Sequence, residues 1–384
     1  MCAKENEMSR KYGFLVAAVL ALSLVACGIR PEVTDPSNIE TDTPAVTNEV
    51  TPVVEESATV EEDGRILSFL TGLETTEEMQ HHRPLAVMLN NIKEGCPQSG
   101  IADASIVYEA PVEGRITRLM GIFEDYESIE KVGSIRSCRD YFAFLSDEFD
   151  SIYCHFGQAT PYVGYYLNSD DIDNLSGAVS GIDKPATNTF YRSSDRKAPH
   201  NVYITADGIK KDIEKFGYRT TLKEGYTPKF TFLKDGDDYY KDKKSASVLY
   251  PGGKEAGKLN GFSKVGSKFE YNSTDNKYYR SQYGGPQIDE LTGEQLKYDN
   301  VVFQYCYGEV RDEHDYLAFG VHGDNGYHVQ VFTQGKMVEG IWKRADNTVP
   351  ATYIDYDGNP IPMTPGKTWV CIVWTDFGND VEIE

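Results

Sequence analysis

Between residues 65 and 217 the apolar positions change period several times. LAVMLN (85–90) and SIVYEA (105–110) read as short strands, and ITRLMGIF (116–123) alternates, which places Ile116, Arg118, Met120 and Ile122 on one face. RDYFAFLSDEF (139–149) has helical spacing, SIYCHF (151–156) returns to a strand, and PYVGYYLNS (161–169) is again helical. HNVYIT (200–205) then reads as a strand and ADGIKKDIEKFG (206–217) as a helix stopped by its glycine. Strands interleaved with helices predict a mixed α/β domain. Beyond residue 227 the helical period fades. Runs such as KFTFLK, NVVFQYCYG, YHVQVFTQGKMVEGIWKR and TWVCIVWTD are separated by turn chemistry, for example Asp-Gly-Asn-Pro. The expectation is an α+β protein: an N-terminal mixed α/β domain over residues 65–222, then a mainly β C-terminal domain over 223–384, built as a small barrel or sandwich.

Two segments precede this pattern. Residues 1–27 combine Arg10 and Lys11, an apolar run over 14–25 and the ending Leu24-Val25-Ala26-Cys27. The run is short for a membrane span and reads as a secretory signal. Its ending resembles a bacterial lipobox, in which Cys27 becomes the lipidated N-terminus. Residues 28–64 hold ten acidic residues, one arginine, four prolines and no aromatic ring. Such a segment buries too little apolar surface to offset its ordering entropy, so it reads as a disordered acidic tether.

Composition narrows the picture further. With 26 Tyr and 17 Phe the chain favours strands, where rings pack on a pleated surface. A formal charge of −22 repels phosphate backbones and argues against nucleic acid as a partner. Past Cys27 the cysteines are Cys96, Cys138, Cys154, Cys306 and Cys371, an odd and scattered set that does not suggest a disulfide framework.

Against that acidic background, VEGRITRLM and VGSIRSCRDYF place Arg115, Arg118, Arg136 and Arg139 close in sequence. Ser137 followed three residues later by Asp140 matches a capping box, so a helix is expected to start near Cys138. A helix start and two arginines suit an anion, which makes Arg115, Arg118, Arg136, Ser137 and Arg139 a candidate anion-binding group. The plain alternative is a set of salt bridges, with Arg118 reaching Glu109, Glu113 or Asp140. Cys138 shares the positive surroundings that favour a thiolate, although a structural thiol is the simpler reading. Cys154 and His155 are adjacent in a strand and point to opposite faces, so they do not form a dyad. His322 and His328 flank GDNGY, His81 and His82 sit beside Glu77 and Glu78, and DYDGN (355–359) has the flavour of a calcium loop. None of these completes a ligand set, and no metal or cofactor is expected. Tyrosine pairs in VGYYLN, DDYYKD and NKYYRS suit either core packing or stacking on sugar rings.

LTGL (70–73), RPLAVMLNN (83–91), PQSGIADASIVYEAPVEGRITR (97–118), the R-S-x-R element at 136–139, GIWKR (340–344) and DGNPIPMTPGKTWV (357–370) together resemble the YerB-like family of Gram-positive lipoproteins. That resemblance implies two domains of unknown function and an anchored position at the outer face of the cytoplasmic membrane. It implies no activity. Three readings follow. The first is a non-enzymatic envelope lipoprotein that binds a protein partner or an anionic envelope component. The second is a wall phosphotransferase or hydrolase loosely similar to LytR-CpsA-Psr enzymes, matched in part by Ser134-Ile135-Arg136 and Arg139-Asp140. The third is a solute-binding lipoprotein. The residues favour a binding role over an enzymatic one and leave the question open.

Overall fold

The computed structural model describes residues 64–177 and 180–384. The expected signal peptide with Cys27, and residues 28–63 of the tether, lie outside the described residues. The elements that matter for the site are β1 (Leu85–Leu89), β2 (Ile106–Val112), β3 (Ile116–Phe123), α1 (Asp140–Asp147), β4 (Ile152–Phe156), α2 (Thr160–Leu167), β5 (Asn174–Gly177) and α3 (Ala206–Phe216). They are followed by β6 (Lys268–Asn272), β7 (Lys277–Gln282), β8 (Asn300–Cys306), β9 (Gly323–Thr333), β10 (Lys336–Arg344), β11 (Thr352–Asp355) and β12 (Thr368–Trp374).

One large sheet organises the molecule, in the order β11-β10-β9-β8-β12-β2-β3-β1-β4-β5. Its central strands β2 and β8 are buried at every position, because the sheet is covered on both faces. Alternation within β2 sends Tyr108 into one apolar cluster with Met120, Phe142 and Trp342, and Val107 into the other with Leu119, Phe303 and Trp369. α1 and α2 cover the first face, contributing Phe142 and Val163, while α3 covers the second with Ile209 and Ile213. At its two outer edges the sheet meets proline-bearing segments, Ser176 bridging Pro185 and Ile354 bridging Pro360. Proline cannot donate to a further strand, which blunts edge pairing.

The α+β expectation holds, with strands predominating. The C-terminal strands do not form a closed barrel among the described residues. β8 to β12 instead extend the sheet begun by the N-terminal strands, and β2 pairs in parallel with β12 from Ile106↔Thr368 to Glu109↔Cys371. The main sheet therefore draws strands from both sides of the expected boundary at residues 222 and 223. A smaller sheet carrying β6 and β7 packs beside it, joining Phe269 and Tyr278 to the second cluster.

Locally the sequence logic works well. α3 begins at Thr205, whose side chain accepts from the Gly208 N–H, and ends at Gly217 in the left-handed region (φ 69°). α1 departs from expectation. It starts at Asp140 with Arg139 as its N-cap, and no side chain caps it. Ser137 is not the capping residue, because Cys138 stays extended: its N–H donates to the Gly157 carbonyl and it bridges Gln158. No helix among the described residues is long and apolar enough to cross a membrane.

Candidate functional site

β1 and β4 run parallel from Leu85↔Ile152 to Val87↔Cys154 and then separate. The extended segment 134–138 enters the gap. Asn90 N–H donates to the Ser134 carbonyl, Arg136 N–H to the Met88 carbonyl, and Phe156 N–H to the Arg136 carbonyl. A third strand-like segment is thus inserted beyond the carboxyl ends of two parallel strands, a common place for a ligand crevice in sheets of this kind.

The arginines around that insertion differ sharply in their partners. Arg139 is buried and gives Glu113 two parallel bonds, Nε to Oε1 and Nη2 to Oε2, each 2.6 Å. Burial acts to lower its pKa, and the bond and charge of Glu113 more than offset this. Its guanidinium also covers the Tyr316 ring at 5.2 Å. Arg139 is therefore committed to the fold. Arg118 lies on the apolar face that strand alternation predicts, and none of Glu109, Glu113 or Asp140 forms an ion pair with it. Its Nη1 donates to the Ser137 carbonyl at 2.9 Å. Burial first, and then the neighbouring charges of Arg139 and Arg136, push its pKa down to about 10. Arg136 donates to the Pro199 carbonyl at 3.0 Å and to His200 Nδ1. Burial, then Arg192, lowers its pKa as well. Ser137 donates its hydroxyl to the Phe156 carbonyl at 3.4 Å. Arg115 is exposed in the β2–β3 turn and has no ion pair or hydrogen bond among the described residues.

The structure adds residues that the sequence did not single out. Arg192 donates to Asn201 Oδ1 at 2.8 Å and lies over the Phe156 ring at 5.2 Å. His200 Nδ1 faces two donors, Asn90 Nδ2 at 3.0 Å and Arg136, so it must accept and the ring is neutral. Burial, then Arg136, lowers its pKa in agreement. The only signal for these residues was the basic content of RSSDRKAPH (192–200), which no motif tied to residues 115–139.

Eight of the twelve arginines among the described residues form an ion pair with a carboxylate. The four that do not are Arg115, Arg118, Arg136 and Arg192. Of the four, Arg136 lies in the inserted segment, Arg118 donates to its Ser137 carbonyl, and Arg192 lies over Phe156, whose N–H donates to the Arg136 carbonyl; the hydrogen-bond partners of all three are neutral oxygens or a neutral ring. This concentration of uncompensated positive charge occurs in a strongly acidic chain.

Other candidates resolve differently. Cys138 is fully buried, and burial pushes its thiol up to about 12 despite Arg139 and Arg118, so it is a structural thiol. His155 bonds Ser176 Oγ at 2.7 Å and the Gly157 carbonyl at 2.8 Å, away from Cys154 on the opposite face. His328 meets Tyr356 Oη at 3.1 Å, and His82 meets the Glu124 carbonyl at 2.8 Å. Asp355 accepts from the Asp357 and Asn359 N–H groups and closes a turn. Among the described residues no group of His, Cys, Asp or Glu has the arrangement to hold a metal ion. A cavity of about 250 Å³ lies elsewhere, lined by Lys277, Lys367, Asp299 and Tyr298, and its Lys277 is already paired with Asp299 at 2.6 Å.

Comparison with known proteins brings a family into view. The model described as the N-terminal domain of a protein of unknown function, DUF3048, matches residues 70–219, and the corresponding C-terminal domain matches residues 259–370. YerB of Bacillus subtilis (strain 168), a protein named as a lipoprotein, is 33% identical over 304 residues, which is 79% of this chain and 85% of YerB. The crystal structure of the YerB protein from Bacillus subtilis is similar with a TM-score of 0.69 at 29% identity, covering 83% of this chain and 100% of that one.

Proposed function

The chain belongs to the DUF3048 family, and we propose that it is an extracytoplasmic lipoprotein, anchored through Cys27 at the outer face of the cytoplasmic membrane, that binds an anionic ligand in the arginine crevice. The observation that carries this reading is the trio of guanidiniums without carboxylate partners beside residues 134–138. Arg118 and Arg136 are half-buried, a costly place for charge unless it is compensated, and an anion supplies the missing compensation through charge-assisted hydrogen bonds. Arg118 and Arg136 hold the ligand in this reading. Arg139 fixes the start of α1 through Glu113, and Arg115 stays at the rim. The lipobox and the lipoprotein name of the similar YerB support the anchor.

Thermal denaturation of the full chain with inorganic phosphate tests the crevice at constant ionic strength. Ligand at 100 times its Kd is expected to stabilise the fold by about 2.7 kcal/mol. Arg136→Ala and Arg118→Ala are expected to abolish that gain. Equal melting temperatures with and without phosphate, or a gain that survives both substitutions, would sink the proposal.

A further inference from the structure

We propose that the cavity of about 250 Å³ is a second ligand site, independent of the arginine crevice, which takes a small monocarboxylate: its carboxylate on Lys367 and Tyr298, its apolar body against Leu296 and Leu73.

Both halves of the chain build the wall. Leu73 and Ala102 come from the first, and the start of β7, residues 292–299 and residues 366–367 come from the second. The Gly366 N–H donates to the Thr71 carbonyl at 2.7 Å and ties the two together. Most of the charge in this wall is settled internally. Asp299 accepts from Lys277 Nζ at 2.6 Å through one oxygen and from the Lys367 backbone N–H at 2.8 Å through the other. Gly366 permits that arrangement, because a Cβ there would collide with the Asp299 carboxyl. Lys297 lies 3.7 Å from Asp275.

Lys367 is the exception. Its Nζ donates to the Ala102 carbonyl, a neutral acceptor, and no carboxylate among the described residues forms an ion pair with it. Burial pulls its pKa down, and the charges of Asp103 and Asp299, beyond ion-pair reach of Nζ, do not restore the ordinary lysine value. Tyr298 stands in the same wall, 2% exposed, and its hydroxyl makes no hydrogen bond among the described residues. One uncompensated ammonium and one unused O–H match the single charge and two oxygens of a carboxylate. A phosphate would bring roughly two charges into a wall that already holds Asp299 and Glu294.

Size and surface define the rest of the ligand. A cavity of about 150 Å³ accepts benzene, so this one has room for a ring or a short chain together with a carboxylate. It is smaller than the roughly 300–1,000 Å³ of sites for larger ligands. Leu296 is buried and Leu73 is 49% exposed, which leaves apolar surface for the ligand body to cover.

The test uses the full chain at constant ionic strength and neutral pH, with binding followed by ligand-observed NMR. Benzoate and hexanoate are the probes, each compared with its neutral amide. At least one acid is expected to bind ~10-fold more tightly than its amide. Lys367→Met is expected to weaken that acid by about 10-fold and leave the amide within about 2-fold, while Lys367→Arg keeps a preference for the acid. Tyr298→Phe is expected to cost the acid about 3-fold. The melting temperature of each variant identifies any that is damaged, and the amide reports whether the cavity itself persists. No saturable binding of either acid, equal affinities for acid and amide, or a preference that survives Lys367→Met overturns the proposal. So does loss of the acid in Arg136→Ala, which would move the carboxylate to the crevice. Lys367→Met is expected to leave the phosphate response of the crevice unchanged, so either site can fail without the other.

Discussion

Arginine does two opposite jobs in this molecule. Arg280 on β7 is fully buried: it gives Glu109 of β2 contacts at 3.0 and 3.2 Å, bonds Ser267 at 2.8 Å, and lies over the Trp369 ring at 5.0 Å. Glu109 also accepts from Thr117 at 2.7 Å and from Trp369 Nε1 at 3.1 Å. On the other face of the sheet, Glu148 pairs with Lys229, accepts from Tyr108 at 3.1 Å, and stands 3.5 Å from Arg344 Nη1, all of them buried. Both clusters join the N-terminal half to the C-terminal half. The crevice arginines are the reverse: more exposed, and held by neutral groups. In both clusters the buried cation is sealed off with a carboxylate, and the crevice arginines lack one.

Four experiments would break or sharpen this contrast. The largest effect is expected from cutting the chain after residue 222. That leaves β2 without β12, Glu109 without Arg280, and Glu148 without both of its cations, so the N-terminal piece alone is expected to lack a cooperative melt by calorimetry. A native, cooperative melt would show that the shared sheet is dispensable. Next come Glu148→Gln and Arg280→Met, each expected to cost about 3–5 kcal/mol in urea unfolding because a buried charge loses its partner. Pairing Arg280→Met with Glu109→Gln is expected to recover much of that loss.

Titration is third in size. Burial pulls the pKa of His155, on β4 beside the crevice, down to about 4, below its unfolded value, so the fold favours the neutral ring. Its contribution is fully present above the ordinary histidine pKa and is lost as pH falls through about 4, on the order of 3 kcal/mol in all. Asp147 on α1 acts in the opposite sense. Burial raises its pKa to about 7, so its contribution is present below the ordinary carboxyl pKa and is lost as pH rises through 7. Relative to wild type, Asp147→Asn is therefore expected to gain stability as pH rises from 4 to 7. His155→Asn is expected to lose stability over the same range, and parallel pH curves for both variants would contradict the assignment. The smallest effect is expected in the crevice. Arg118→Ala and Arg136→Ala without ligand should change unfolding free energy by less than about 1 kcal/mol, since neither strands a carboxylate and each relieves like-charge repulsion. A loss as large as that of Arg280→Met would make them structural residues after all.

Much of this was legible beforehand. The alternation of ITRLMGIF matches β3 residue for residue and puts Arg118 on the apolar face, and the glycine stop of α3 appears where it was read. The S-x-x-D signal at Ser137 failed because a capping box is a local pattern, and Cys138 is held extended by Gly157, nineteen residues away. The tyrosine pair of NKYYRS, by sequence alone, suits core packing or a sugar ring. The alternation there does place Tyr278, Arg280 and Gln282 on one face, but nothing local says that this face is buried against Glu109.

The sequence by itself determined the local elements and the family, because backbone periodicity, caps and short motifs act over a few residues. Only the tertiary structure decided that strands from both halves complete one sheet, that Arg139 belongs to Glu113, and that Arg118, Arg136 and Arg192 rest on neutral partners instead of carboxylates. Those choices depend on which groups meet across tens to hundreds of residues of chain, and on the cost of burying charges that find no partner.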